Sequence, residues 1–262
     1  MNLSETMTIV QSVAREAGQL QLRYFRNNPT FTEKGSERNI VTEADLAVEK
    51  LVVERLRALF SDHNFMGEEH AYDATESEWC WVIDPIDGTT NYSKGLGHFA
   101  ISIALAHEEK PVLGLVYNPV SNEMFHAIEG KGAQLNNQPI QASSETRLQK
   151  ALLATGFYYD RDEKVKRTLR QLQRFFDIDI MGIRRYGSAA LDLCFVACGR
   201  FDAYWELTLN AWDFAAGWLI ACEAGAVVRA MDGGQPELRT MGLMAAGQAL
   251  FKDFSSVLLS IE

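Results

Sequence analysis

No run of apolar residues in the chain approaches 18 in length, which excludes a helix built to span a membrane. Nor does Met1 lead through basic residues into an apolar stretch. Asn-Leu-Ser-Glu-Thr follows it, and the expectation is a soluble, cytoplasmic protein. Positive charge is scarce: 25 Lys and Arg stand against 35 Asp and Glu, a formal charge of −10. That balance disfavours general nucleic-acid binding, because a phosphate backbone is drawn to basic surface. An acidic protein that handles phosphate needs a metal cation. The four cysteines, Cys80, Cys194, Cys198 and Cys222, show no paired Cys-x-x-Cys spacing and sit among apolar residues. Cys194 and Cys198 share one face of an expected helix and read as packing, and free thiols fit a reducing compartment. Repeats, low-complexity tracts and long linkers are absent too. What remains is 262 residues, 47% hydrophobic and 23% charged, enough for one sizeable α/β domain or two small lobes on a shared core.

The chemistry concentrates between Cys80 and Asn91, Cys-Trp-Val-Ile-Asp-Pro-Ile-Asp-Gly-Thr-Thr-Asn. Trp79 to Ile83 suits a buried strand ending on Asp84, where Pro85, lacking a donor, is expected to stop the pairing. Asp84, Asp87 and the intervening Ile86 carbonyl put hard oxygens into one abrupt turn, a donor set for Mg²⁺ or a similar cation. Gly88 permits a tight backbone, and Thr89-Thr90-Asn91 open a helix whose free amides suit an anion. An Asx turn with an N-cap accounts for the same residues. The spacing does exclude an EF-hand loop, which needs oxygen donors at alternate positions. It also excludes an aspartyl-phosphate nucleophile of the Asp-x-Asp-Gly-Thr kind, since the acids here stand one residue too far apart.

Periodicity supplies the frame. Ile9, Val10, Val13, Ala17, Leu20 and Tyr24 predict an amphipathic helix over Glu5–Phe25. Thr30 to Asn39 reads as a polar connection carrying Lys34. Thr42-Glu43-Ala44-Asp45 opens a second helix with Leu46, Leu51, Val52, Leu56, Leu59 and Phe60 on its apolar side, and Asp45 is placed to complete a capping box. A short strand from Phe65 runs into Glu68 and Glu69, of which one at most faces a given site. Phe99 to Ala106 and Pro111 to Tyr117 form a hairpin, and Glu123 to Ile128 extends the sheet. Gln141 to Arg147 is a candidate junction between an N-terminal lobe of about 1–145 and a C-terminal lobe of about 146–262 within one domain. Strands are expected at Ala151–Thr155, Ile180–Arg184, Phe201–Leu207, Ala226–Ala230 and Leu243–Ala246. Helices are expected over Lys164–Phe176, after Gly187-Ser188, from Trp212 and from Gln248. Asp213, in the first turn of the Trp212 helix, reads equally as a dipole partner or a ligand. Arg184-Arg185 reads as a basic pair in solvent or a docking point, and His63, His70, His98, His107 and His126 as ordinary surface or core residues.

Five separated motifs occur in series: Val41-Thr-Glu-Ala-Asp45, Gly67-Glu68-Glu69, Asp84-Pro-Ile-Asp87-Gly-Thr89-Thr-Asn91, Gly187-Ser-Ala-Ala and Trp212-Asp213-Phe-Ala-Ala-Gly. In this order, over nearly the whole chain, the sequence closely resembles the inositol monophosphatases of the lithium-sensitive, metal-dependent phosphatase superfamily. The resemblance implies an α/β (α+β) fold of αβαβα layers, a small phosphate monoester as substrate, two or three Mg²⁺ ions, lithium sensitivity and a homodimer. By resemblance, Glu68, Asp84, the Ile86 carbonyl, Asp87 and Asp213 match metal ligands, and Gly88 and Thr89 match the amides that hold phosphate. Asp45 and Thr89 match the pair that orients the attacking water, with Glu68 a ligand of the metal that activates it. Asp87, Ser188, Ala189 and Glu206 match contacts to the alcohol, and Lys34 a loop lysine near the site. So many acids around one phosphate would repel it and each other without cations.

The substrate that the resemblance implies is inositol monophosphate, as myo-inositol 1-phosphate, or a neighbour of it: histidinol phosphate, fructose 1,6-bisphosphate or another sugar bisphosphate, or a 3′(2′),5′-bisphosphate nucleotide. Thr89-Thr90-Asn91 resembles the inositol branch more than the nucleotidase branch, which tends to carry a lysine after Gly-Thr. A regulatory, partner-binding scaffold that keeps the fold is the non-enzymatic alternative.

Overall fold

The computed structural model describes residues 1–26, 31–36, 39–157 and 163–260, of which 31–36 and 39–41 are described by backbone only. Helix α1 (Leu3–Arg26) leads to an antiparallel pair, β1 (Phe31–Ser36) and β2 (Asn39–Thr42), and then to α2 (Glu43–Arg57). The segment expected to be a polar connection thus holds two paired strands; backbone pairing, unlike side-chain burial, leaves no apolar alternation to read. Next come β3 (Asn64–Gly67), β4 (Trp79–Asp87), the short helix α3 (Thr89–Ser93), β5 (Ala100–His107), β6 (Lys110–Asn118), β7 (Glu123–Ile128), β8 (Ala133–Leu135) and β9 (Gln138–Pro139). These seven strands form one sheet in chain order, with β3 parallel to β4 and the rest antiparallel. The β5–β6 hairpin turns on Glu108 and Glu109, both at positive φ, the backbone a two-residue hairpin loop demands.

After a 3-10 turn at Leu148–Lys150 the chain forms β10 (Leu152–Thr155), α4 (Glu163–Asp177), β11 (Gly182–Arg184), α5 (Ala189–Ala197), β12 (Ala203–Glu206), α6 (Ala211–Glu223), β13 (Ala226–Ala230), β14 (Leu243–Gly247) and α7 (Phe251–Leu259). The second sheet has the order β11-β10-β12-β14-β13, and its first three strands are parallel.

Five layers result, as the αβαβα expectation requires. Val10, Val13 and Ala17 of α1 and Val48, Val52 and Leu56 of α2 pack on Trp81, Ile83 and Leu115 of the first sheet. Leu46 and Leu59, expected on the apolar side of α2, are 42% and 60% exposed instead, and Val48 and Val53 take the buried places. The opposite face of that sheet meets α5 and α6, which also cover Tyr204 and Val228 of the second sheet. Phe175 of α4 and Phe254 and Leu258 of α7 close the far side over Trp205. Each large side chain so buried contributes about 1.5–3 kcal/mol. α5 and α6 have apolar residues all round because both faces are covered. Helix α6 approaches β6 so closely that a Cβ at Gly114 would lie 2.8 Å from the Ala216 carbonyl. Among the described residues no helix is long and apolar enough to cross a membrane.

Candidate active site

Parallel pairing delivers the acids. Gly67 of β3 lies opposite Ile83 of β4, so Glu68, the next residue, emerges beside Asp84. Strand β4 does not stop at Asp84 as expected: it pairs Asp84 with Ser102, skips, and pairs Asp87 with Ala100. Pro85 falls inside this bulge, where no ladder donor is required of it, so the strand continues to Asp87 and re-aims the chain there. The Pro85 carbonyl, freed by the bulge, accepts a bond from the buried Gln21 Nε2 of α1 at 2.7 Å. Gln21 was legible in principle, as a polar residue on the buried stripe of an amphipathic helix, and sequence reasoning missed it.

Asp84, Asp87 and Asp213 each present an oxygen within 4.8 Å of the others. Asp84 Oδ1 accepts from the Ile86 amide at 2.9 Å. Asp87 Oδ2 accepts from Ser188 Oγ at 2.5 Å and the Ala190 amide at 2.8 Å, and its Oδ1 from the Ala189 amide at 3.3 Å, so this carboxylate sits on the amino end of α5. Asp213 Oδ2 accepts from the Asn210 amide at 2.6 Å and completes a capping box, while the side chain also lines the pocket. The helix-end role of Asp213 is thus observed, and the same side chain is placed in the pocket. Burial pushes Asp84 well above the usual carboxylate range, and the nearby charges of Glu68, Asp87, Asp213 and Asp45 push it further. Asp213 is raised well up by burial and by Asp87. Asp87 is raised to about 6 by burial, against the pull of Ser188 and the α5 amides. Hard oxygen donors that resist ionisation together are the set a divalent cation satisfies, so these residues fit a metal.

The pocket, a cavity of about 300 Å³, also receives Glu68, Ile86, Gly88, Thr89, Ser188, Ala189 and Glu206. Gly88 sits at φ 99°, and a Cβ there would meet the His98 and Gly187 carbonyls at 3.1 and 3.2 Å. Asp45 does not line the cavity; it is fully buried behind it. Its Oδ2 accepts from the Thr42 amide at 2.8 Å, completing the expected capping box, and its Oδ1 accepts from Thr89 Oγ1 at 3.4 Å. That hydroxyl is also 3.0 Å from the Ile86 carbonyl. Asp45 therefore caps a helix and touches Thr89 at once. The Lys34 side chain lies outside the described residues.

The second sheet supplies the opposite wall from the ends of its three parallel strands. Thr155 pairs with Trp205, which sets Gly156 beside Glu206. A Cβ at Gly156 would lie 1.9 Å from Glu206 Oε2, so the glycine is the space the carboxylate occupies. Glu206 accepts from Tyr204 Oη at 2.7 Å and is raised to about 7 by burial. Arg185 follows β11 into the same cavity. Read from sequence as half of a basic pair in solvent or at a docking point, it is the one cation among the described residues that line the pocket. Its charge works against the upward shifts of Glu206 and of the buried Asp192. Asn91 binds the two halves of the pocket, donating to the His98 and Tyr186 carbonyls at 2.8 Å each.

Fold and site together define a layered α/β phosphatase with a carboxylate pocket suited to divalent metal. The sequence model of the inositol monophosphatase family matches residues 2–257, and the chain belongs to that family. It is 40% identical over 227 residues to the inositol-1-monophosphatase of Synechocystis, covering 86% of this chain and 79% of that one. It is 36% identical over 249 residues to the Nus factor SuhB of Escherichia coli, covering 94% and 92%. The solved inositol monophosphatase of Anabaena superposes with a TM-score of 0.89 at 35% identity, over 100% of this chain and 98% of that one. The family is metal-dependent, and the acid cluster is placed to hold such a metal.

Proposed function

We propose that the chain is a Mg²⁺-dependent phosphomonoesterase that hydrolyses myo-inositol 1-phosphate, or a similarly small phosphate ester, by direct attack of water. The observation that carries this reading is the convergence of Glu68, Asp84, Asp87 and Asp213 on one cavity beside the Gly88–Thr89 turn. Glu68, Asp84 and the Ile86 carbonyl would hold one ion, and Asp84, Asp87 and Asp213 another, in a complement of two or three. When bound, the ions supply the positive charge that neutralises the phosphate and acidifies water. The Gly88 and Thr89 amides receive the phosphate oxygens. Asp45, hydrogen-bonded to Thr89, orients that hydroxyl and would accept the proton the water sheds through it. Glu206, Asp87 and the Ser188–Ala189 turn accept and donate to the hydroxyls of the leaving alcohol.

Lithium sensitivity follows from a shared metal site. A cytoplasmic location is supported by the free thiols of Cys80, Cys194, Cys198 and Cys222, of which only Cys222 is exposed. A homodimer is supported by Leu96, Val120 and Tyr186, exposed by 56%, 46% and 41% and grouped around the Gly97–His98 turn. Several relatives bear the name Nus factor SuhB, which is not an enzyme's name. The complete acid set favours catalysis here over a partner-binding scaffold alone.

Phosphate release is measured with Mg²⁺ and with EDTA from myo-inositol 1-phosphate, histidinol phosphate, fructose 1,6-bisphosphate and adenosine 3′,5′-bisphosphate. The expected result is Mg²⁺-dependent turnover, fastest on the inositol ester. Faster turnover of another ester reassigns the substrate, and no release from any of them contradicts the enzymatic reading.

A further inference from the structure

Glu49 lies one helical turn beyond Asp45 on α2, is fully buried, and plays no part in the site as described so far. Its Oε2 accepts from the Glu69 amide at 2.9 Å. Its Oε1 accepts from Tyr72 Oη at 2.8 Å and lies 2.7 Å from His70 Nδ1. Gly67 backs onto the same group: a Cβ there would stand 2.6 Å from the carboxyl carbon. Every one of these contacts falls in the segment 67–72, which leaves β3 and carries Glu68 into the cavity.

The segment needs such an anchor. Beyond Gly67 the ladder with β4 ends, and residues 68–72 belong to no strand or helix. Glu49 grips both neighbours of Glu68: Gly67 by close packing and Glu69 by its amide. A fully buried carboxyl group that gathers the Glu69 amide, the Tyr72 hydroxyl and the His70 ring is a firm anchor, because its burial limits competition from water. Helix α2 is thus a rigid bar with Asp45 at one point against Thr89 and Glu49 one turn along against the Glu68 segment. Tyr72 and His70 serve the same anchor, and His70, a surface histidine 48% exposed, turns its ring onto Glu49.

We infer that Glu49 is a positioning residue: through Glu69, His70 and Tyr72 it holds the Glu68 carboxylate at the cation site and so sets the affinity of that site for divalent metal. The inference rests on the reading of Glu68 as a metal ligand. Partners that orient a ligand in this way change metal affinity by about 10–100-fold when removed.

Mn²⁺ binding to the full-length protein is measured by titration calorimetry, with thermal unfolding in EDTA recorded for the same samples. Glu49→Gln keeps the size but turns an amide group toward donors, and it is expected to weaken Mn²⁺ binding about tenfold or more. Tyr72→Phe removes one half-exposed donor and is expected to weaken binding about threefold with a small loss of stability, so it carries the test if Glu49→Gln does not fold. Val52→Ala, a core substitution on the same helix that removes no hydrogen-bond partner of Glu49, is the control for destabilisation alone and should leave Mn²⁺ affinity unchanged. Glu68→Gln is the control for the ligand reading. The positioning role is overturned if Glu68→Gln weakens binding while Tyr72→Phe and any folded Glu49→Gln stay within about twofold of the parent or of Val52→Ala. Unchanged binding in Glu68→Gln overturns the ligand reading and the inference with it.

Discussion

Asp87 is asked to do three things with two oxygens. It holds an oxygen within 4.8 Å of those of Asp84 and Asp213, it takes the Ser188 hydroxyl, and it receives the first amides of α5. Asp87→Asn keeps the shape, halves the acceptors and removes the charge. Turnover should fall at least about 100-fold, roughly 3 kcal/mol of transition-state stabilisation, in a Mg²⁺-saturated phosphate-release assay. Near-normal turnover would remove Asp87 from the mechanism. Gly156 acts by absence: Gly156→Ala drives a methyl into Glu206 Oε2. On the proposed reading, in which the displaced carboxylate serves the alcohol and not the cation, the expected outcome is a higher KM for the phosphate ester with the Mg²⁺ requirement unaltered. Asp192 is the reverse case. It is buried, its Oδ1 has no partner, and burial and the charges of Asp87 and Glu206 push it well above the carboxylate range. A group already held neutral loses little on becoming an amide, so Asp192→Asn should change the urea unfolding free energy by less than about 1 kcal/mol.

At the scale of elements, the bulge in β4 decides where the acids point. Its geometry depends on Gln21 of α1, which bonds the Pro85 carbonyl and whose own carbonyl accepts from Tyr92 Oη at 2.6 Å. Gln21→Leu leaves a buried carbonyl unpaired and should cost about 1–3 kcal/mol in urea unfolding, with a loss of activity beyond that of a core substitution of equal cost. These elements also show what a sequence discloses. Strand β7 and strand β13 could be read to the residue because apolar patterning and turn residues bound them on both sides. The end of β4 could not, because Pro85 forbids a ladder bond but says nothing of a bulge that does without one. The β1–β2 pair escaped notice because polar residues paired by backbone leave no periodic signal. Asp45 and Asp213 each looked like a choice between cap and site; both complete capping boxes, while Asp45 also touches Thr89 and Asp213 also lines the pocket, since the amino end of a helix is where a carboxylate is most easily held. Arg185 carries no local signature, and Gln21 and Glu49 only that of a polar residue set into the buried stripe of a helix. Their partners are distant in the chain or lie across a loop, and only the fold brings them together.

For the whole molecule, the site occupies the meeting place of two sheets, at the ends of β3 and β4 on one side and of β10, β11 and β12 on the other. Concentrating acids at that junction makes the metal-free fold sensitive to pH. Asp87 at about 6 and Glu206 at about 7 lie above their ordinary values of 3.8 and 4.5. The metal-free folded state therefore binds more protons than the unfolded chain between those limits. The stability these groups contribute is fully present below about pH 4 and is lost as pH rises through 6 to 7. Divalent metal reverses the trend, because it binds the ionised acids and favours the folded state more strongly at higher pH. Thermal unfolding in EDTA and in Mg²⁺ at acid and alkaline pH should show the Mg²⁺ increment growing with pH. An increment that shrinks would contradict the assignment of these acids to a cation.

The central claim is that carboxylates from distant parts of the chain converge to bind divalent metal where a phosphate ester is cleaved. Anomalous diffraction from crystals of the protein grown with Mn²⁺ and inorganic phosphate tests it most directly. The account predicts Mn²⁺ peaks coordinated by Asp84, Asp87 and Asp213, with Glu68 on an adjacent ion and phosphate against Gly88 and Thr89. Mn²⁺ bound only elsewhere, with phosphate absent from that turn, would contradict it.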